Sequence, residues 1–261
     1  MATQLLFYEA AVPVSALRHG DWSIEPRDYA FSKGINSVPL TTVEFAAAAS
    51  EYTIVFAGQP GALMPVAILG LRSGENLFLR GGGEWDARYV PAYVRRYPFV
   101  FSSTDEGRSF TLCIDETFSG FNRDRRGEPL FGADRKASPY TENVLRFLKQ
   151  YQIEYQRTQA FCRKLEALGL LEPMQAQMQG TDGARMSLSG FMAVDRKKLK
   201  ALPAEQFAAL GQTDELELVY LHLQSMRNFG LMRGRLEGAD AARPKPRTAA
   251  PRLRRRQKLD A

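Results

Sequence analysis

The sequence contains one uncharged run of 20 residues, YTIVFAGQPGALMPVAILGL, between Tyr52 and Leu71. Its length matches that of a membrane-spanning helix. However, GQPG lies near its middle and Pro65 follows, and these residues break a helix interior. The run therefore predicts two short apolar strands joined by a turn, in a protein without integral membrane association. Runs such as TIVF and VAIL do not alternate in polarity, so we expect both faces of these strands to be covered.

The rest of the first half predicts short strands and one short helix. WSIEP predicts a strand from Trp22, and TTVEFAAAASEY predicts a helix with Thr41 or Thr42 as its N-cap. Residues 65–71 and 76–80 flank the turn RSGEN and predict a hairpin. PFVFSS and SFTLCID predict a second strand pair around the turn TDEGR.

The second half is predicted to be helical. Ser138 as N-cap, Pro139 at the first position and Gly169 as the stop delimit a long helix with apolar residues at helical spacing. A hairpin follows around GTDG, then short helices from about Asp195 and Pro203, and a last helix over 213–235. The predicted class is α+β: a β-rich part (1–135), a helical part packed on it (136–237) and a disordered basic tail (238–261).

The tail carries the whole net charge of +6. Eight Lys or Arg residues and two Asp residues lie in 238–261, so the preceding 237 residues are net neutral. A neutral body argues against a nucleic-acid-binding face on the fold, and leaves nucleic acid as a partner only through the tail. The tail is rich in Pro, Ala and Arg and has too few bulky apolar residues to fold alone.

Few residues have the chemistry of a cofactor or metal site. The two cysteines, Cys113 and Cys162, lie in apolar surroundings and indicate reduced, buried thiols in a reducing compartment. The two histidines, His19 and His222, belong to no metal motif, and no phosphate-binding loop or nucleophile elbow occurs. We therefore expect no metal and no cofactor. We also expect a cytoplasmic location, because the N-terminus resembles no signal peptide.

The most unusual segment is WDARYVPAYVRRYPF, from Trp85 to Phe99. Pro91 and Pro98 limit a predicted helix to about two turns near 90–97. Within this segment helical spacing would align three tyrosines on one side, with two adjacent arginines nearby. This row of tyrosines either packs on a sheet with the arginines in solvent, or forms a patch that recognises an anion or peptide. The candidate binding residues here are Trp85, Asp86, Tyr89, Tyr93, Arg95 and Arg96.

Two further candidates, Asp115 and Glu116, close the strand FTLCID. Neighbouring residues on a strand point to opposite faces, so the two acids are not expected to act as a pair. We expect one of them to form an ion pair with Arg95 or Arg96, and the other arginine to face solvent or a ligand. Trp85, Tyr97 and Phe99 are expected to be core residues.

Together these segments resemble the SapC family of bacterial proteins. The resemblance is carried by ILGLRSGENLFLRGGGEWDARYVPAYVRRYPFVF, then CIDE, GEPLF and LPAEQFAALGQTDELELVYLHLQSMRNF, and runs from about Trp22 to Leu231. The family is named after a surface-layer protein locus. The resemblance implies a link to cell-surface protein export or to nutrient uptake, since relatives accompany outer-membrane receptors. It brings no catalytic residues.

The function expected on these grounds is that of a soluble accessory protein. It would bind a protein or peptide partner in a cell-surface or nutrient-uptake pathway. The alternative is an enzyme that modifies a peptide or small molecule, with a site formed by 85–97 and Asp115. A deep pocket lined by the candidates would favour the enzyme, and a shallow apolar patch would favour the binding protein.

Overall fold

A computed structural model describes residues 6–103, 109–179 and 185–242 of the chain. These residues form eleven strands: β1 Ala11–Pro13, β2 Ser23–Ile24, β3 Ser37–Pro39, β4 Thr53–Ala57, β5 Met64–Ile68, β6 Phe99–Ser102, β7 Thr111–Asp115, β8 Phe121–Asn122, β9 Glu128–Pro129, β10 Leu171–Gln179 and β11 Arg185–Val194. They also form eight α-helices: α1 Ala16–His19, α2 Phe45–Ala48, α3 Ala92–Arg95, α4 Pro139–Ala167, α5 Arg196–Lys200, α6 Ala204–Gln212, α7 Glu215–Ser225 and α8 Asn228–Ala242. Nine strands precede residue 136 and most of the helical residues follow it, so the predicted α+β class is confirmed.

The largest sheet has five antiparallel strands in the order β10-β11-β4-β5-β3. β4 and β5 are the two strands predicted from the uncharged run, and they pair with Val55 opposite Val66. Four of the five residues of each strand are buried, so both faces are covered as expected. Among the described residues no helix is long and apolar enough to cross a membrane.

The predicted hairpin between 65–71 and 76–80 is wrong. β5 uses its two edges to pair with β4 and β3, so no edge remains for residues 76–80. That segment stays beside β5 through one backbone bond from Leu77 to Leu69, 2.8 Å long. The Asn76 side chain then accepts from the Phe78 amide and turns the chain away from the sheet.

The long helix α4 covers the central sheet and has the predicted ends. The Ser138 hydroxyl accepts from the Thr141 amide, Pro139 opens the helix and Gly169 follows it at φ +65°. A left-handed conformation at this position suits glycine, because other residues meet steric strain there. The buried face of α4 includes Phe161, and it packs with residues of β4, α2 and α7 to form the main core.

The last helix, predicted as one element over 213–235, consists of two helices. α7 ends at Ser225 and α8 begins at Asn228. The Asn228 side chain donates to the backbone oxygens of Ala49 and Tyr52, both at 2.8 Å. This buried amide fixes the break against the end of α2 and the start of β4.

Two smaller sheets lie in the first half, in the orders β1-β7-β6 and β8-β2-β9. The predicted pair of β6 and β7 is confirmed, with Phe99 opposite Ile114. The predicted hairpin of β10 and β11 and the helices α5 and α6 are confirmed as well. The turns TDEGR and GTDG lie outside the described residues.

The start of the predicted tail continues the last helix. Residues 238–242 belong to α8, which ends at Ala242. Residues 243–261, which make up the rest of the predicted tail, lie outside the described residues.

Candidate functional site

The conspicuous segment from Trp85 to Phe99 forms a shorter helix than predicted. α3 has a single turn, because Pro91, with an extended ψ of 140°, lies outside the helix as its N-cap. Tyr89 precedes the helix and Tyr97 follows it. The predicted tyrosine stripe is therefore absent from the described structure, and the three tyrosines have different surroundings.

The first two candidates connect this segment to distant parts of the chain. Trp85 is half-buried, and its indole N–H donates to the Tyr52 hydroxyl at 2.7 Å. Asp86 accepts from Arg235 of α8 at 2.7 Å and forms an ion pair with Arg80 at 2.5 Å. Both residues thereby stabilise the fold. Trp85, which is expected to be a core residue, packs against the main core but is only partly buried.

Tyr89 binds a buried acid, Glu44, that is not among the candidates predicted from the sequence. The Tyr89 hydroxyl donates to Glu44 at 2.8 Å, and the Ala92 amide donates to the same oxygen at 2.7 Å. The other Glu44 oxygen accepts from the amide and hydroxyl of Thr41. Of the two predicted N-caps, Thr41 and Thr42, Thr41 is the one observed, and it forms a capping box with Glu44; the spacing Thr-x-x-Glu is the sequence signal for it. Glu44 joins this cap to the start of α3.

The two adjacent arginines have opposite environments. Arg95 is exposed; its Nε donates to the Val90 oxygen at 3.0 Å, and its guanidinium lies over the rings of Tyr89 and Phe147. Arg96 is only 5% exposed, and its guanidinium lies 3.9 Å from the centre of the Tyr93 ring. The expected ion pair with Asp115 or Glu116 is wrong, because neither arginine contacts a carboxylate in the described part of the chain.

Asp115 is fully buried and holds the N-terminal segment in place. Its carboxylate accepts from the amides of Glu9, Ala10 and Thr117 and from the Thr117 hydroxyl. Burial alone would raise the pKa of Asp115, but these hydrogen bonds outweigh it and lower the pKa below its ordinary value. An anion so well satisfied is a poor base.

Glu116 points to a different cluster, as the strand alternation predicts. It contacts Arg18 through one oxygen and lies 2.7 Å from His19 Nε2 through the other. Burial opposes ionisation, but the bonds from His19 and Arg18 lower the pKa of Glu116 overall. This ion cluster ties α1 to the end of β7.

Both histidines use both ring nitrogens in hydrogen bonds. His19 Nδ1 accepts from the Ser15 amide, so Nε2 carries the proton that it shares with Glu116. His222 Nε2 accepts from the Val194 amide at 3.0 Å, and Nδ1 donates to the Ile54 oxygen at 2.8 Å. His222 therefore links β11 to β4, and neither imidazole is available to a substrate in this conformation.

One hollow adjoins the candidate segment. It has a volume of about 210 Å³ and is lined by aromatic side chains that are all half-buried. We call this set the aromatic groove: Tyr29, Phe31, Tyr97, Phe118 and Tyr140. The charged residues Arg27, Arg95, Glu25, Asp28 and Glu128 are also among its lining residues.

Tyr97 lines this groove, although the sequence predicts it as a core residue. It is half-buried, its ring stacks on Phe31 at 4.2 Å, and its hydroxyl lies 3.5 Å from Asp115. Burial, with the Asp115 charge, raises the pKa of Tyr97 to about 12. Phe99 is buried as expected.

A second hollow, of about 510 Å³, lies between the β10–β11 hairpin and α7. Met174 and Tyr220 are exposed in its lining. It contains none of the eight candidate residues. Of those residues, only Arg95 lines the aromatic groove, so the candidates do not converge on one pocket.

Both cysteines are buried free thiols, and burial raises the pKa of Cys162 to about 12. In the described residues, no group of three or more His, Cys, Asp or Glu side chains is arranged to hold a metal ion.

Comparison with known proteins identifies a family but no individual relative. No curated protein and no solved structure matches the chain. The family model described as SapC matches residues 14–231, which include the Trp85–Phe99 segment and all eight candidates. The match covers most of the chain and agrees with the resemblance carried by the sequence motifs, and we conclude that the chain belongs to the SapC family.

Proposed function

We propose that this protein is an accessory protein that binds an extended peptide segment of a partner protein in the aromatic groove. The observation that carries the proposal is the small hollow of about 210 Å³ that Arg95 helps to line. Small-molecule sites commonly enclose about 300–1,000 Å³, so this hollow accommodates one or two side chains better than a whole substrate. Aromatic-lined grooves are a recurrent means of binding extended, proline-containing segments.

The charges at the groove suggest what the segment carries. Arg95 has one guanidinium nitrogen bound to the Val90 oxygen, and its exposed end is suited to a carboxylate of the partner. Glu25 and Asp28, which also line the hollow, would repel a uniformly acidic segment. The preferred ligand is therefore a segment with one acidic residue next to proline or apolar residues.

The enzyme alternative has less support. It required the 85–97 region and Asp115 to share a pocket, whereas Asp115 is buried beneath the N-terminal segment with its oxygens occupied. A general base needs access to its substrate proton. We further propose, on the basis of the family resemblance, that the partner belongs to a cell-surface or nutrient-uptake pathway and that binding occurs in the cytoplasm.

The test is selection of peptides from a random library on the full chain, followed by affinity measurement with labelled synthetic peptides. We expect selected peptides to share an acidic residue near proline or apolar residues, and Arg95→Gln to weaken their binding at least fivefold. The matched control is Arg88→Gln, since Arg88 is 92% exposed in the same segment but does not line the groove. Absence of enriched peptides, or equal binding by both variants, would contradict the proposal.

A further inference from the structure

Arg96 is enclosed by tyrosine rings. Its guanidinium carbon lies 3.9 Å from the ring centre of Tyr93, 5.1 Å from that of Tyr151 and 5.7 Å from that of Tyr8. All three tyrosines are buried, and Tyr93 and Tyr151 come from α3 and α4. We call these four residues the Arg96 chamber.

The polar atoms of the chamber are incompletely bonded. Within the described structure, Nε and Nη2 of Arg96 and the hydroxyl of Tyr151 are buried and have no hydrogen-bond partner. Nε and Nη2 together carry three N–H groups. Leaving the buried donors of a charged group unsatisfied is energetically costly. The chamber thus holds three buried polar atoms whose hydrogen-bonding capacity the described residues leave unused.

The described residues also bring no carboxylate into contact with the Arg96 guanidinium. Burial would lower the pKa of Arg96, but the oxygens of Tyr8, Tyr151 and Tyr93 outweigh it and raise the pKa, so the group stays cationic. Burial raises the pKa of Tyr8 and Tyr151, so these phenols stay neutral. The buried Glu44 has both oxygens bonded to Thr41, Tyr89 and Ala92.

We infer that the Arg96 chamber binds a carboxylate, supplied by a small organic acid or by the C-terminus of a peptide. Nε and Nη2 lie on one edge of a guanidinium and match the two oxygens of a carboxylate. The Tyr151 hydroxyl adds a third donor. A planar, two-oxygen anion uses this arrangement better than a spherical halide does.

The N-terminal segment controls access to the chamber. Tyr8 covers one side of Arg96, and the Tyr8 hydroxyl donates to the Phe99 oxygen at 2.8 Å. The Leu6 amide donates to the Tyr93 hydroxyl at 3.2 Å. The ligand therefore enters when residues 6–8 lift away from α3, and bound carboxylate holds them down again.

The experiment titrates the full chain with sodium acetate and sodium propionate against sodium chloride at constant ionic strength, and follows the melting temperature. A ligand that binds only the folded state raises Tm, and the rise grows with the logarithm of the ligand concentration once that concentration exceeds Kd. We expect this rise in the wild type and in Arg95→Gln, whose altered side chain is the exposed neighbour of Arg96. We expect none in Arg96→Gln, and at least fivefold weaker binding in Tyr151→Phe, which removes a single oxygen.

A short peptide with a free C-terminus, compared with its amidated form, distinguishes the two sources of the carboxylate. If Arg96→Gln does not fold, calorimetric titration of acetate into the wild type and Tyr151→Phe decides the matter. The inference is overturned if carboxylates act no differently from chloride, or if Tyr151→Phe binds them as tightly as the wild type. Arg95→Gln separates this site from the aromatic groove, since it should impair only the groove.

Discussion

The Asp86 carboxylate accepts a 2.7 Å hydrogen bond from the Arg235 guanidinium, and the Asp86 backbone oxygen accepts a second one at 2.8 Å. Arg235 also lies 4.2 Å from the centre of the Phe78 ring. These contacts join the Trp85–Phe99 segment to the last helix, α8. Arg235 lies beyond the range matched by the family model, so the contact joins the family region to the residues that follow it.

Asp86→Asn should therefore destabilise the protein by about 1–2 kcal/mol. Hydrogen bonds to charged groups contribute about 1.5–3 kcal/mol, and this pair is partly solvent-exposed, which reduces the value. Urea unfolding measures the loss, and hydrogen exchange should become faster in α8. Asp21→Asn is the control, because its pair with Arg123 is exposed at 3.7 Å. Equal stability of the two variants would show that the contact with Arg235 contributes nothing.

Asp115→Asn should cost about 2–4 kcal/mol at neutral pH. The Glu9 amide donates to one carboxylate oxygen and the Ala10 amide to the other, so a carboxamide keeps an acceptor for only one of them and turns a donor toward the other, which leaves buried groups unsatisfied. Exchange of these two amides should become faster. The exposed Glu9→Gln leaves the backbone donors in place and should change stability by less than about 0.5 kcal/mol.

The contribution of the Asp115 carboxylate to stability should depend on pH. Because the folded-state pKa of Asp115 is lowered, its stabilisation is complete above the unfolded value near 3.8 and is lost as the pH falls below it, through the folded-state pKa. The stability difference between wild type and Asp115→Asn should therefore shrink once the pH falls below that unfolded value. A difference that stays constant under strongly acidic conditions would contradict this.

His222 makes stability depend on pH in a less acidic range than Asp115 does. Burial lowers the pKa of His222 to about 4, from an ordinary value of 6.5. The unfolded chain therefore takes up the proton first, so the stabilisation is complete above pH 6.5 and is lost as the pH falls toward 4. The shift corresponds to about 3 kcal/mol.

The measurement compares unfolding free energies of wild type and His222→Gln between about pH 7.5 and about pH 4.5. Carboxylates titrate in both proteins and cancel in the difference. The wild type should lose about 2–3 kcal/mol more than the variant. Parallel pH profiles would show that His222 is not buried as a neutral imidazole.

Arg95 and Arg96 should respond differently to the same substitution. Arg95→Gln should change the free energy of unfolding by less than about 0.5 kcal/mol, because the side chain is exposed. Arg96→Gln should cost about 2 kcal/mol, since it removes a desolvated cation from the Tyr93 ring. Urea unfolding curves of the two variants measure these changes. Equal losses of stability would mean that burial does not distinguish the two arginines.

Local signals in the sequence were sufficient for the elements whose ends are set by neighbouring residues. Ser138, Pro139 and Gly169 delimit α4, because capping and left-handed glycine act within one turn of the chain. The GQPG turn and the apolar runs on either side of it determine β4 and β5. The same local logic predicted the cap at Thr41.

The tertiary structure decided which distant groups meet. Arg95 and Arg96 are the same residue type, but their environments differ because adjacent helical side chains point about 100° apart. Tyr8 and Tyr151, both far from them along the chain, close over only one of them. The partner of β5 and the break at Asn228 likewise depend on segments far along the chain. The spacing of apolar residues indicates which face of a helix or strand is buried. Which residues cover that face depends on how the whole chain packs.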